Sequence, residues 1–228
     1  TGLLLESLVQ KTDKYHLNGS DRLLIITASA LHDIGKIGIS DRILNKAGKL
    51  TEEEFEVIKR HPIIGASILK NLALHQDEPI VKVAYEICRW HHERYDGKGY
   101  PDGLKGEEIP IAAQVVSIAD VYDALTSERV YKSAYTHEKA IEMILNGECG
   151  TFSPLMLECL LDIKDAICEE LNTISEEKQT SIQIEKLNGL SPVRKLNQGF
   201  AYVEEADGGV VKLSLIHISE PTRQEAIS

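Results

Sequence analysis

Positive charge is scarce in this 228-residue chain: 25 lysines and arginines stand against 36 aspartates and glutamates, a formal net charge of −11. A general nucleic-acid binder needs a basic footprint to release counterions from phosphates, so that class is excluded. Long apolar runs are also lacking. Stretches such as Leu23 to Leu31 are interrupted and too short to cross a bilayer, and nothing near the start resembles a signal peptide, so a cytoplasmic protein with no membrane contact is expected. The four cysteines, Cys88, Cys149, Cys159 and Cys168, show neither CxxC pairing nor zinc-type spacing, and three lie inside apolar helical patterns. They read as buried, reduced thiols. Strand-like alternation is missing from Leu3 to Leu171, which makes this part all-α. With 43% hydrophobic residues the composition is that of a globular protein rather than a disordered or fibrous one.

What is present is a series of helices with legible ends. Leu3, Leu4, Leu8 and Val9 recur at helical spacing. The cluster Asn18-Gly19-Ser20-Asp21 starts a second helix with Leu24, Ala28 and Leu31 on one face; its expected end near Gly35 or Gly38 puts His32 and Asp33 in its last turns. Thr51 and Glu54 form a capping box, and the helix they open is expected to turn Phe55 and Ile58 inward. Pro62 disfavours helical backbone at the preceding residue, so His61 belongs at a helix junction. The stripe Ile80, Val83, Ala84, Ile87 leads four residues on to His91. The pair His91-His92 therefore ends a helix. Gly97, Gly99, Pro101 and Gly103 then force a tight loop whose backbone N–H groups are expected to be available for binding. Asp120 and Asp123 share one side of the helix after Pro110, and further helices are marked by Thr136 and by Ser153-Pro154.

Six side chains at or near helix ends could converge: His32, Asp33, His61, His91, His92 and Asp120. Imidazoles with carboxylates suit iron, manganese or zinc, and the absence of a cysteine cluster argues against structural zinc. A carboxylate such as Asp33 can bridge two ions, and two cations sharing a water lower its pKa toward neutrality, which suits phosphodiester cleavage. A lone buried histidine is ordinarily a satisfied core group, so the case rests on the set rather than on any one ring. His16, His75, His137 and His217 lie in polar segments or at helix starts without a partner in view. Asp123 either supports a ligand or caps and solvates its helix. Lys36, Arg129 and Lys132 are either surface cations or phosphate contacts.

The blocks HDIGKIGI, RHP, HHERYDGKGYPDGLKGEEIP and IADVYDALTSERVYK occur in this order and resemble the signature blocks of the HD-GYP family. The resemblance spans residues 1–171. It implies an all-α HD-domain helical bundle that uses two divalent metal ions, iron or manganese, to open cyclic di-GMP to pGpG or on to GMP. One ion would take His32, Asp33 and Asp120, with Asp33 bridging to a second held by His61, His91 and His92. Catalysis would fall to Asp33 and Lys36, and substrate contact to Lys36, Tyr100, Arg129 and Lys132. Diguanylate cyclase domains or an upstream receiver domain are the implied partners; oligomeric state stays open. The family supplies a further histidine, and in some members a glutamate for a third ion, from a helix that would lie before Thr1. A third ion is therefore not expected here, and the first helix is expected to be truncated, with one metal under-coordinated.

Beyond residue 171 the character changes to an irregular C-terminal extension. Residues 172–213 read as a linker with a possible hairpin, and IEKLNGLSPVRKLNQGFAYVEE is similar to a segment of the exodeoxyribonuclease VII large subunit. Residues 214–228 resemble translated adapter sequence and are expected to be artefactual or disordered. Two competing functions stand beside the leading one. One is an HD phosphohydrolase acting on another nucleotide. The other is a non-catalytic module that binds cyclic di-GMP or docks a cyclase through residues 97–103.

Overall fold

A computed structural model describes residues 1–72, 77–127, 134–170 and 173. The expected tail hairpin and the nuclease-like segment lie outside the described residues, as do Arg129, Lys132, His75 and His217. Among the described residues there is no strand, which bears out the all-α reading. One compact unit comprises Thr1–Cys168.

Helix α1 (Gly2–Lys11) buries Leu4, Leu5 and Leu8. Helix α2 (Gly19–Ser29) begins at Asn18, whose side chain accepts from the amides of Ser20 and Asp21, and it buries Ile25 and Ala28. It ends at Ser29, earlier than the sequence pattern suggests. His32 and Asp33 therefore occupy a turn, followed by a 3-10 segment, Ile34–Gly38. The apolar spacing persists past Ala30, but the backbone tightens from i→i+4 to i→i+3 bonding, as in His32 N–H to Ser29 O and Lys36 N–H to Asp33 O.

Helices α3 (Asp41–Leu44) and α4 (Glu52–Ile58) follow, with the expected Thr51–Glu54 capping box. Neither helix buries a residue, and Phe55 is 48% exposed rather than turned inward. Two turns of helix are too short to present a continuous apolar stripe, so the pattern at Phe55 and Ile58 did not decide burial. Helix α5 (His61–Lys70) starts at the Pro62 junction as expected. Helices α6 (Pro79–Trp90), α7 (Ile111–Thr126), α8 (His137–Leu145) and α9 (residues 154–170) complete the bundle.

Helix α6 is the hub, packing against α2, α5 and α7. It inserts Ala84, Ile87 and Cys88 into a core shared with Leu5, Leu8, Val115, Ile118, Ile144, Met156 and Leu160. Cys88 and Cys159 are buried, while Cys149 and Cys168 are half-buried. Burial pushes the Cys88 thiol up to about 11, so it remains a neutral packing group. No helix among the described residues is long and apolar enough to cross a membrane.

The 3-10 segment meets α5 at two glycines. A Cβ on Gly35 would overlap the carbonyl of His61 and the amide of Gly65, and one on Gly65 would strike Cys88 Sγ. This close backbone approach brings the His32-Asp33 turn against His61. Gly35→Ala is therefore expected to cost about 3 kcal/mol of stability, the upper end of the range for overpacking. Urea unfolding measures it, and a loss below about 1 kcal/mol would mean that the backbone contact yields easily.

Candidate metal centre

Three of the six candidate ligands are aimed by the same local device. A helix leaves its last four carbonyls without intrahelical partners. His32 lies three residues beyond Ser29, the last residue of α2, and its Nδ1 is 2.8 Å from Ser29 O. His61 stands in the same relation to Ile58, the last residue of α4, again at 2.8 Å. His91 caps α6, with Nδ1 3.0 Å from both Ile87 O and Cys88 O. A carbonyl only accepts, so Nδ1 of each ring carries the proton and donates. Each Nε2 is left as the outward-facing ligand atom.

Those Nε2 atoms converge. His61 Nε2 is 3.4 Å from His91 Nε2 and 3.3 Å from Asp33 Oδ1. His32 Nε2 lies 3.3 Å from Asp33 Oδ2 and 3.6 Å from Asp120 Oδ1. The His91 and His92 ring centroids are 4.0 Å apart, and the ligand nitrogens of His61, His91 and His92 all lie within 4.8 Å of one another. Asp33 thus faces two histidines through its two oxygens. All six expected ligands meet, although they come from four separate segments of the chain.

The electrostatics fit a cation. Burial holds His61 and His91 below the ordinary imidazole value, reinforced at His91 by the charge of His32. His92 is lowered by burial and by His91. These rings are neutral at physiological pH. His61 Nε2, His91 Nε2 and Asp33 Oδ1 therefore face one another as acceptors, and Asp33 Oδ1 is buried without a hydrogen-bond donor. The 3.3 Å approach of His61 to Asp33 has the geometry of an ion pair, but a ring kept neutral by burial supplies no charge, so it is counted as acceptor against acceptor. Such a cluster is repulsive unless a positive ion stands within it, and imidazole–carboxylate sets suit divalent ions.

His32 behaves oppositely. Hydrogen bonds to Asp120 and then Asp33 outweigh burial and push it up to about 10. Burial pushes Asp33 up, yet His32 and Lys36 outweigh it and hold the carboxyl well below the usual range. Asp120 is likewise held low by His32 against burial. Lys36 Nζ donates to Asp33 Oδ2.

The glycine-rich loop corrects one expectation. Five of its amides are taken up by the protein itself rather than left for phosphate. Gly97 N–H donates to Arg94 O, Lys98 N–H to Asp96 Oδ1 and Tyr100 N–H to His92 O. The amides of Asp102 and Gly103 both donate to Glu93 Oε1, at 2.7 and 3.0 Å. Gly99 lies flat against residues 93 and 94, where a Cβ would overlap Glu93 Cα and Arg94 N. Arg89 and Trp90 hold the Asp102 carboxylate at 2.7 Å. The consequence is a fixed Tyr100, whose ring stacks on His92 at 4.8 Å and 29°. Burial pushes its phenol far up, so it stays a proton donor.

Glu93, buried at 4% exposure, escaped the sequence reading. A carboxylate directly after two candidate ligands and before a glycine-rich loop was the available signal. Asp123 is exposed and its carboxylate accepts from Ser127 Oγ at the end of α7. His16 is an exposed loop residue, and His137 Nδ1 is 2.7 Å from the Tyr122 hydroxyl, away from the centre. A cavity of about 430 Å³ lined by Leu69, Val81, Tyr85 and Trp90 contains none of the six ligands.

A model of the HD domain family matches residues 4–149. A cyclic di-GMP phosphodiesterase of Vibrio cholerae serotype O1 is 46% identical over 143 residues, covering 62% of this chain and 29% of that protein. The cyclic di-GMP phosphodiesterase response regulator RpfG of Xanthomonas campestris is 44% identical over 155 residues, covering 67% and 40%. A 3'3'-cGAMP-specific phosphodiesterase of Vibrio cholerae is 40% identical over 148 residues, covering 65% and 28%. The chain spans less than half the length of these curated relatives.

Two outcomes follow. An ion that takes His32 Nε2 must displace a proton held there below about pH 10, so about one proton should leave for each ion bound at that site and affinity there should rise about tenfold per unit between about pH 7 and 9. The neutral rings add no proton to this count. Calorimetry of manganese binding in two buffers of different ionisation enthalpy reads it, and a count of zero would refute the assignment. Glu93→Ala should cost about 1–3 kcal/mol by leaving two amides unpartnered. It should also accelerate hydrogen exchange at Asp102 and Gly103; unchanged protection there would mean that other contacts hold the loop.

Proposed function

Because the chain belongs to the HD domain family, we propose that residues 1–171 are the HD-GYP phosphodiesterase portion of a signalling protein, hydrolysing cyclic di-GMP in the cytoplasm to pGpG or GMP. The observation that carries this reading is the convergence of four neutral or neutralisable imidazoles on Asp33 and Asp120, with Tyr100 and Lys36 at its edge. His32, Asp33 and Asp120 would hold one ion and His61, His91 and His92 a second, with Asp33 between them. Two divalent ions, iron or manganese, would supply a water of near-neutral pKa and screen the phosphoryl charge.

The chain's own groups do the rest. The carbonyls of Ser29, Ile58, Ile87 and Cys88 keep each ring in one tautomer and orientation throughout the reaction. Lys36, tethered to Asp33, brings an ammonium group to where a non-bridging phosphoryl oxygen would gain negative charge. Tyr100, kept protonated and pinned on His92, donates to the substrate rather than accepting from it. Arg129 and Lys132 are proposed to add phosphate contacts. Diguanylate cyclase domains and an upstream receiver domain are the proposed partners.

The identity of a 3'3'-cGAMP-specific relative keeps a second substrate in play, so both cyclic dinucleotides belong in the assay. Asp33→Ala is expected to remove both ions, measured by elemental analysis, and to lower turnover of cyclic di-GMP by about a thousandfold or more. Retention of full turnover would refute the bridging role. Chelation should abolish hydrolysis and manganese or ferrous iron restore it; cyclic di-GMP binding without product in the metal-loaded chain would favour a binding module instead.

A further inference from the structure

Phe55 opens a line of contacts that runs from the surface to the metal centre. Its ring is 48% exposed on a helix that buries nothing. One turn further on, the Lys59 ammonium lies 5.7 Å from the Phe55 ring centroid and 5.4 Å from that of Tyr100. Tyr100 in turn stacks on His92. Lys59 therefore sits between an exposed aromatic face and the aromatic wall of the site.

The charge at this point is exchangeable. Lys59 donates to Glu56 at 2.8 Å, but that carboxylate is 67% exposed, and such a solvent-screened pair gives up its cation to a better anion at little cost. In a chain of net charge −11, an anionic substrate must find its cations locally. Lys36, bonded to Asp33, stands at the phosphoryl group to be cleaved. Lys59, in contact with Tyr100, is a cation at the rim of the same site.

We propose that Phe55 and Lys59 form a substrate-binding rim: Phe55 offers a stacking face to one nucleobase of a cyclic dinucleotide, and Lys59 contacts its phosphate. This rests on the phosphodiesterase reading and assigns to α4 the affinity for the dinucleotide rather than the rate of its cleavage. Stacking on an aromatic face is tolerant of base identity, so the rim distinguishes dinucleotides from small phosphodiesters and not guanine from adenine.

The test uses the manganese-loaded full chain with cyclic di-GMP as probe, reading KM and kcat, or the Kd by calorimetry where turnover is absent. Phe55→Ala should raise KM about tenfold with kcat within about threefold, and Phe55→Tyr should restore it. Lys59→Gln should raise KM about fivefold and flatten its dependence on salt. The thermal midpoint should stay unchanged in all three variants. A KM rise accompanied by a fall in midpoint would mark a structural role and overturn the proposal. If neither Phe55→Ala nor Lys59→Gln moves KM, the rim is overturned while the phosphodiesterase reading stands. Absent turnover with a Kd that Phe55→Ala weakens would support the rim and overturn the phosphodiesterase reading alone. Absence of both turnover and binding would overturn the two together.

Discussion

The centre depends on carbonyl groups at helix ends. At the ends of α2, α4 and α6 the carbonyls of Ser29, Ile58, Ile87 and Cys88 accept the Nδ1 protons of His32, His61 and His91, those of Ser29 and Ile87 alongside a backbone amide. Each bond removes two freedoms at once, the tautomer and the ring orientation. Three candidate ligands are thereby oriented by their own local backbone. What the bundle then has to supply is a meeting of helix ends.

That meeting is made by close packing of small residues. Gly35 and Gly65 allow the 3-10 segment to touch α5, and Cys88 of α6 occupies the space a side chain at Gly65 would need. Any larger group there would push the His32-Asp33 turn away from His61. The glycine-rich loop obeys the same economy. Gly99 lies against residues 93 and 94, and Glu93 takes two loop amides, so the loop's polar groups hold Tyr100 on His92. Its glycines permit close approach of the chain to itself rather than to a phosphate.

Much of this was legible in residue spacing. The Thr51–Glu54 box, the Pro62 junction at His61 and the stripe ending at His91 are local signals, and each stands where the pattern places it. The misreadings have a common origin. Phe55 follows an inward pattern on a helix too short to have an inside, α2 stops before its apolar spacing does, and the loop amides look free only when Glu93 is out of view. In each case a nonlocal partner, or the lack of one, decided the outcome.

Sequence by itself determined the helical class, the start of α4, the junction at His61, the end of α6 and the identity of six candidate ligands, because capping, proline and apolar period act over a few residues. Tertiary structure alone decided that four segments bring those candidate ligands within a few ångströms, that Asp33 faces His32 with one oxygen and His61 with the other, and that Glu93 is buried under the loop. Those distances are set by packing between residues far apart in the chain, and burial, which keeps three imidazoles neutral, exists only once that packing is complete.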